Sequence, residues 1–434
     1  MRQKLLADGA RELEYEIRGI VKKAEELQKY GKTIVWENIG DPLQKNNTIP
    51  DWIKATIQTL TGEDHSYGYC HSKGILETRQ FLADRTNQLN GAQISAEDIL
   101  FFNGLGDAIA KVYQYLDVSS RVIGPSPAYS THSSAEAAHA NKVPVTYKLD
   151  PSNGWLPDVA DLRLHVKYNP NIVGILVINP DNPTGMVYPL EILQGIVDIA
   201  KEFNLFIICD EIYGSITYNG AVAHPLAEII DAVPGIAMKG ISKEVPWPGS
   251  RCGWMEFYNR DKDPEFERLV NAMYDAKMIE VCSTTLPQLA IPKILGDERF
   301  LPYRKDLNDK IGRRSKIIAS ILNELDFVHF NETYGAFYNT IVFKEEALRS
   351  KQSIKIDDNE IVGLVEKWTQ DEDMDFDKRF VYYLLASTGI CVVPLSSFHS
   401  ELKGFRVTLL EENEETLVDT FTRIKDALLE YCNS

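Results

Sequence analysis

The sequence predicts an α/β protein: a mostly parallel sheet covered by helices on both faces, followed by a smaller α+β domain. Three observations carry this. Residues 173–178 and 205–209 are short, continuously apolar runs, the pattern of strands buried on both faces. Such runs alternate with turn strings and stretches of helical spacing, a strand–turn–helix rhythm. Past about Leu301 the rhythm changes to one long helix and several strands in succession.

In chain order, residues 11–30 have helical spacing and Gly31 stops them. Residues 35–39 read as a strand running into the turn Gly40-Asp41-Pro42. Two helices are expected between Asp51 and Arg85, around the loop Tyr67-Gly68-Tyr69. A strand at 99–102 meets Asn103-Gly104-Leu105-Gly106, and a helix runs on to Leu116. A strand at 121–123 leads through Pro125-Ser126-Pro127-Ala128-Tyr129 to a helix ending at Ala140. The strand 173–178 enters Asn179-Pro180-Asp181-Asn182-Pro183-Thr184-Gly185, then a helix to Phe203. The strand 205–209 ends at Asp210-Glu211. A helix at 303–325, strands at 327–330, 337–343, 391–393 and 405–410, and a terminal helix from Glu415 complete the chain. The acid-rich stretch 351–378 reads as a solvated surface excursion. The expected division is an N-terminal segment (1–50) joining the small domain, a large domain (51–300) and a small C-terminal domain (301–434).

Composition narrows the function classes. A net charge of −17, with Lys and Arg scattered, argues against nucleic-acid binding, which needs a basic face. The N-terminus turns acidic at Asp8 before a signal-peptide core forms, and no apolar run is long enough to span a bilayer. Cys70, Cys209, Cys252, Cys282, Cys391 and Cys432 show no CxxC and no framework spacing, so reduced, packed thiols and a cytoplasmic location are expected. No metal site is expected.

In sheets of this kind ligands gather at the carboxyl ends of the strands, where Gly104, Tyr129, Asn182, Asp210 and Lys243 all fall. An activated lysine can form a Schiff base with an aldehyde. Arg251, eight residues after Lys243 and beyond a Pro-Gly turn, offers a two-pronged grip for a phosphate. An aldehyde and a phosphate on one small molecule describe pyridoxal phosphate. Asp210, at the end of an apolar strand, could answer a pyridinium N–H; a helix N-cap is the plainer use of such an Asp. Tyr213, three residues on, could face the same ligand. Asn182 sits between two prolines and could donate to a phenolate oxygen, or simply shape an Asx turn. The N–H groups around Leu105 and Gly106, opening a helix, suit an anion, although an ordinary turn uses the same residues. Tyr129 offers a flat face for a ring, or packing. Arg406, a charge within a strand pattern, fits a substrate carboxylate or an ion pair with a nearby Glu.

In this order the residues resemble the PLP-dependent aminotransferases of the aspartate aminotransferase fold (fold type I, class I/II), over nearly the whole chain. That resemblance implies a large domain with a mostly parallel, seven-stranded-type sheet between helices, and a homodimer with shared active sites. It implies a ping-pong exchange of an amino group between an L-amino acid and a 2-oxo acid. Lys243 would carry the cofactor and move the proton. Asp210 would pair with the ring nitrogen, Asn182 and Tyr213 with the 3′-oxygen, and Tyr129 would stack on the ring. Leu105, Gly106 and Arg251 would hold the phosphate, and Arg406 with the Gly40 backbone the α-carboxylate. Tyr69, with Tyr67 as fallback, would reach the neighbouring subunit's phosphate. Glu14-Tyr15, Asn38-Ile39-Gly40-Asp41, Gly335-Ala336-Phe337-Tyr338 and the string from Thr388 to Pro394 are similar to alanine aminotransferases. Two departures stand out: Gly240 replaces a phosphate-binding serine, for which Ser242 or a water would substitute, and prolines flank Trp247 beside the lysine. A PLP-dependent β-lyase or ACC-synthase-like enzyme is the alternative. A non-catalytic PLP-binding regulator would carry a basic DNA-binding segment, and a dinucleotide enzyme a GxGxxG after its first strand.

Overall fold

A computed structural model describes residues 5–12 and 17–434. Its strands are β1 (Val35–Trp36), β2 (Ile99–Phe102), β3 (Arg121–Ser126), β4 (Thr146–Asp150), β5 (Leu156–Pro157), β6 (Ile172–Ile178) and β7 (Phe206–Asp210). They continue with β8 (Gly235–Gly240), β9 (Gly253–Tyr258), β10 (Val328–His329), β11 (Tyr338–Phe343), β12 (Ile390–Cys391), β13 (Val393–Pro394) and β14 (Gly404–Thr408).

The large sheet has the order β2-β9-β8-β7-β6-β3-β4-β5. β8, β7, β6, β3 and β4 run parallel, β9 is antiparallel to both neighbours, and β5 closes the edge antiparallel to β4. The sheet is of the mostly parallel type that the resemblance implies, with the two-residue β5 added as an eighth strand at its edge. Alternation divides the side chains between two cores: Ile207 and Cys209 of β7 face one cluster, Phe206 and Ile208 the other. Helices such as Leu105–Tyr115, Ser130–Ala140 and Leu190–Phe203 follow their strands as the rhythm predicted.

A second sheet, order β10-β11-β14-β13, is antiparallel throughout. The 23-residue helix Phe300–Leu322 leads into it and Glu414–Asn433 packs beside that helix. The N-terminal segment is tied to the same region, with β1 parallel to β12. That strand is shorter than expected. After Trp36 the chain turns to bury Glu37, which accepts from Lys45 Nζ at 2.7 Å and from Thr408 Oγ1 at 2.7 Å.

The helix expected over 11–30 is, within the described residues, Ile17–Gln28; Glu14-Tyr15 lies outside them. The stretch 351–378 differs more. It contains a helix, Asn359–Trp368, capped by Asp358 and burying Ile361, Val365 and Trp368 on one side. The charges on either side of that buried stripe, Lys355 to Glu360 and the acid run 371–373, are largely solvated as expected. The acids masked an apolar spacing of four and seven residues. Among the described residues, no helix is long and apolar enough to cross a membrane.

Candidate active site

The carboxyl ends of the parallel strands open onto a cavity of 320 Å³ lined from both sheets. Lys243, in the short turn of helix Ile241–Glu244 that follows β8, reaches into it and donates from Nζ to the Gly40 carbonyl at 2.7 Å. Nζ stands 5.6 Å from the centre of the Phe337 ring and 6.0 Å from that of Tyr213. Among the described residues its one anchoring bond is to a neutral carbonyl, and the amine is not locked in an ion pair.

Asp210 closes β7 and is 2% exposed. No helix follows it; residues 212–215 form turns, so the N-cap reading fails. Its Oδ1 accepts from Ile212 N at 3.1 Å and its Oδ2 meets His132 Nε2 at 2.9 Å. His132 was not singled out in the sequence. Its signal was position, three residues past Tyr129 in the first turn of the helix after β3, at the same edge of the sheet. Tyr213 is held in a turn, not a helix, and its phenol lies 3.0 Å from that of Tyr338. Burial, followed by the neighbouring Tyr338, pushes the Tyr213 phenol well above its ordinary pKa, so it keeps its proton.

At one end of the cavity, helix Leu105–Tyr115 begins directly after β2. Asp107 and Ala108 donate to the Gly104 carbonyl, which leaves the N–H groups of Leu105 and Gly106 at the cavity wall. Gly104 has φ +86, and a Cβ there would meet Arg251 Nη2 at 2.6 Å, so the guanidinium lies across this loop. Among the described residues, the Arg251 guanidinium donates only to the carbonyls of Asn103 and Pro248, at 3.4 and 3.5 Å. This end is an anion cradle. Ser242 also lines the cavity. Gly240 is explained by space: a Cβ would stand 3.0 Å from the Cys252 carbonyl and 3.1 Å from Ile212 Cδ1. Trp247 does not line the cavity but packs on the large-domain core.

At the other end, Arg406 on β14 is 4% exposed. It donates from Nη1 to Asn182 Oδ1 at 3.2 Å and from Nη2 to the Asn38 carbonyl at 2.7 Å, while Nε has no partner. Its guanidinium lies 4.4 Å from the Tyr338 ring centre and 5.1 Å from that of Phe398. Among the described residues no carboxylate lies within ion-pair distance, so the Glu pairing considered for it is absent. Tyr129 and Asn182 complete the lining. Tyr69 and Tyr67, 87% and 73% exposed, do not contribute to it.

The model of the family described as aminotransferase class I and II matches residues 32–421. The chain belongs to that family. It is 55% identical, over 99% of both chains, to an uncharacterized aminotransferase of Methanocaldococcus jannaschii. It is 31% identical to the alanine aminotransferase of Mycobacterium tuberculosis, over 78% of each chain. The solved alanine aminotransferase of Pyrococcus furiosus superposes with a TM-score of 0.82 at 28% identity, covering 99% of this chain and 100% of that one. This aminotransferase is a PLP-dependent transaminase, and the β-lyase, ACC-synthase-like and regulatory readings are not favoured. The cavity fits that cofactor: a lysine amine free of acids, a buried carboxylate at the floor and an anion cradle at one end lie around one space.

Proposed function

We propose that the enzyme moves the amino group between L-alanine and a 2-oxo acid, with Lys243, Asp210, Tyr213 and Arg406 as its working side chains. What carries the reading is a buried guanidinium and a lysine amine facing one cavity, neither paired with an acid. The alanine assignment rests on the strings around Asn38, Gly335 and Thr388 and on relatives named alanine aminotransferase.

When bound, pyridoxal phosphate supplies an aldehyde for an amino group and a ring that withdraws electrons from the substrate Cα. The Leu105 and Gly106 amides, Ser242 and Arg251 hold its phosphate. Tyr129 covers the ring face. Asp210, oriented by His132 and the Ile212 N–H, keeps a proton on the ring nitrogen. Asn182 and Tyr213 donate to the ring oxygen. Arg406 and the backbone at Gly40 orient the α-carboxylate, so that the Cα–H bond faces Lys243. Lys243 Nζ then takes that proton and returns it as general base and acid. Tyr69, exposed in one subunit, reaches the cradle of a second in a homodimer, and Tyr67 is its substitute. The enzyme works in the cytoplasm, with its N-terminal segment to residue 50 allied to the small domain (301–434) and residues 51–300 forming the cofactor domain.

Borohydride reduction followed by peptide mapping tests the central assignment: the label falls on Lys243, and a label on another lysine overturns it. Lys243→Ala abolishes turnover yet still binds the cofactor noncovalently. A panel of amino donors, read by loss of the cofactor's absorbance in half-reactions, tests the substrate. Alanine should be among the fastest, and a slow response to alanine with a fast one to bulky donors refutes that part.

A further inference from the structure

Tyr338 has no part in the roles assigned so far, yet it touches three of their owners. Its ring lies under the Arg406 guanidinium, 4.4 Å from Cζ to ring centre. Its hydroxyl is 3.0 Å from that of Tyr213. A Cβ on Gly40 would sit 2.0 Å from Tyr338 Oη, so the Gly40 Cα backs directly onto the hydroxyl. In the sheet, Tyr338 faces Thr408, two residues along β14 from Arg406, which places the two side chains diagonally on one face.

Packing alone does not account for this residue. A phenylalanine would carry the same ring, whereas a buried hydroxyl needs a partner. Two phenols 3.0 Å apart bring two protons, and one donates between them. Both phenols line the cavity, and geometry alone lets either one donate. With the Tyr213 proton given to the cofactor's ring oxygen, as assigned above, the proton between the two hydroxyls comes from Tyr338.

We propose that Tyr338 is a positioning residue coupling the two ends of the site: its ring seats the Arg406 guanidinium, and its hydroxyl donates to Tyr213, sharpening the donor that Tyr213 presents to the cofactor's ring oxygen. This rests on the assignment of Tyr213 above. A donor that itself accepts a hydrogen bond is polarised and becomes stronger.

The test is the pH titration of the holoenzyme's cofactor absorbance. Loss of the proton at the cofactor–lysine linkage leaves the ring oxygen a full anion, which donors stabilise, so a weaker donor raises the midpoint. Tyr338→Phe should raise it by about half a pH unit. Tyr213→Phe should raise it further, and the double variant should match Tyr213→Phe, because Tyr338 acts through that residue. With 3-fluorotyrosine at position 338 the more acidic hydroxyl should lower the midpoint without changing the fold. Tyr338→Phe should leave KM for amino acids within about two-fold, whereas Tyr338→Leu, which removes the ring, should raise it. An unmoved midpoint in Tyr338→Phe beside a moved one in Tyr213→Phe overturns this proposal alone, as do additive shifts in the double variant. An unmoved midpoint in Tyr213→Phe overturns the Tyr213 assignment itself, and the coupling with it.

Discussion

Two cations of this molecule, the partly buried Lys239 and the buried Arg406, are treated in opposite ways. Lys239 on β8 lies between acids, with Nζ 2.9 Å from Glu256 and 3.5 Å from Glu211. Glu256 also accepts from Thr86, Trp254 and Tyr258. Burial would push Glu256 up, but Lys239 and these donors together hold it below the ordinary carboxylate value. Glu211, farther from the ammonium, is raised by its burial. One base thus holds one ionised acid and shares its field with a second, and no charge there is left unanswered. Arg406 is more deeply placed, 4% exposed where the Lys239 side chain is 19% exposed, yet among the described residues it faces only an amide, a carbonyl and two aromatic rings. A buried charge without a counterion is expensive. The fold bears that cost at the cavity, which is the place the proposed function gives to a ligand's carboxylate.

The difference can be broken at either end. On the Arg406 side the largest effect is on catalysis. Arg406→Lys keeps the charge and loses the fork, and should lower kcat/KM for amino acids by roughly 10²–10³-fold. The melting temperature and cofactor affinity should change little. Amines without a carboxylate should be nearly indifferent to the substitution; equal losses for both donor types would place the carboxylate elsewhere. On the Lys239 side the effect is on folding. Glu256→Gln leaves the partly buried Lys239 with only the more distant Glu211 and should destabilise the protein by about 2 kcal/mol. Turnover per folded molecule should be retained, as measured by active-site titration of the soluble fraction. A variant as stable as the wild type, but slow, would move this cluster into the machinery.

The contrast also explains what was legible in the chain. Asp210, Asn182, Lys243 and Arg406 could be read because each is a polar residue interrupting an apolar pattern or closing a strand, where the physics of burial asks for a reason. The strands 99–102 and 173–178 were legible because they are apolar throughout. Helix Asn359–Trp368 was not, because its acids outweigh a stripe of three buried residues. His132 and Tyr338 were hidden for another cause. Both are residue types that pack in cores as a matter of course, and their partners, Asp210 and Tyr213, lie 78 and 125 residues away. Only the sheet brings each pair together.

A third buried charge site separates the two treatments further, with a smaller effect. Asp181, in the string that carries Asn182, is fully buried. Its Oδ2 accepts from the Thr184 N–H at 3.0 Å and from the Thr184 hydroxyl, while Oδ1 has no partner. Burial above all, against the two Thr184 bonds and with Asp210 nearby, raises its pKa to about 7. An unfolded aspartate titrates near 3.9. Between about pH 4 and pH 7 the native protein therefore binds the extra proton. The stability this group contributes is full below that range and is lost as pH rises through the folded pKa. Asp181→Asn stays neutral throughout, so it should carry no such slope. Near pH 5 the variant should be the less stable by about 1 kcal/mol, because its amide N–H₂ occupies the place of the unpartnered oxygen. That gap should close or reverse by about pH 7 to 8. Thermal unfolding of both proteins at pH 5, 6, 7 and 8 measures the difference directly, with other titrations cancelling. Parallel curves would mean that Asp181 is ionised across the range. Asp181 would then be a buried carboxylate held ionised by the Thr184 bonds against the cost of its burial.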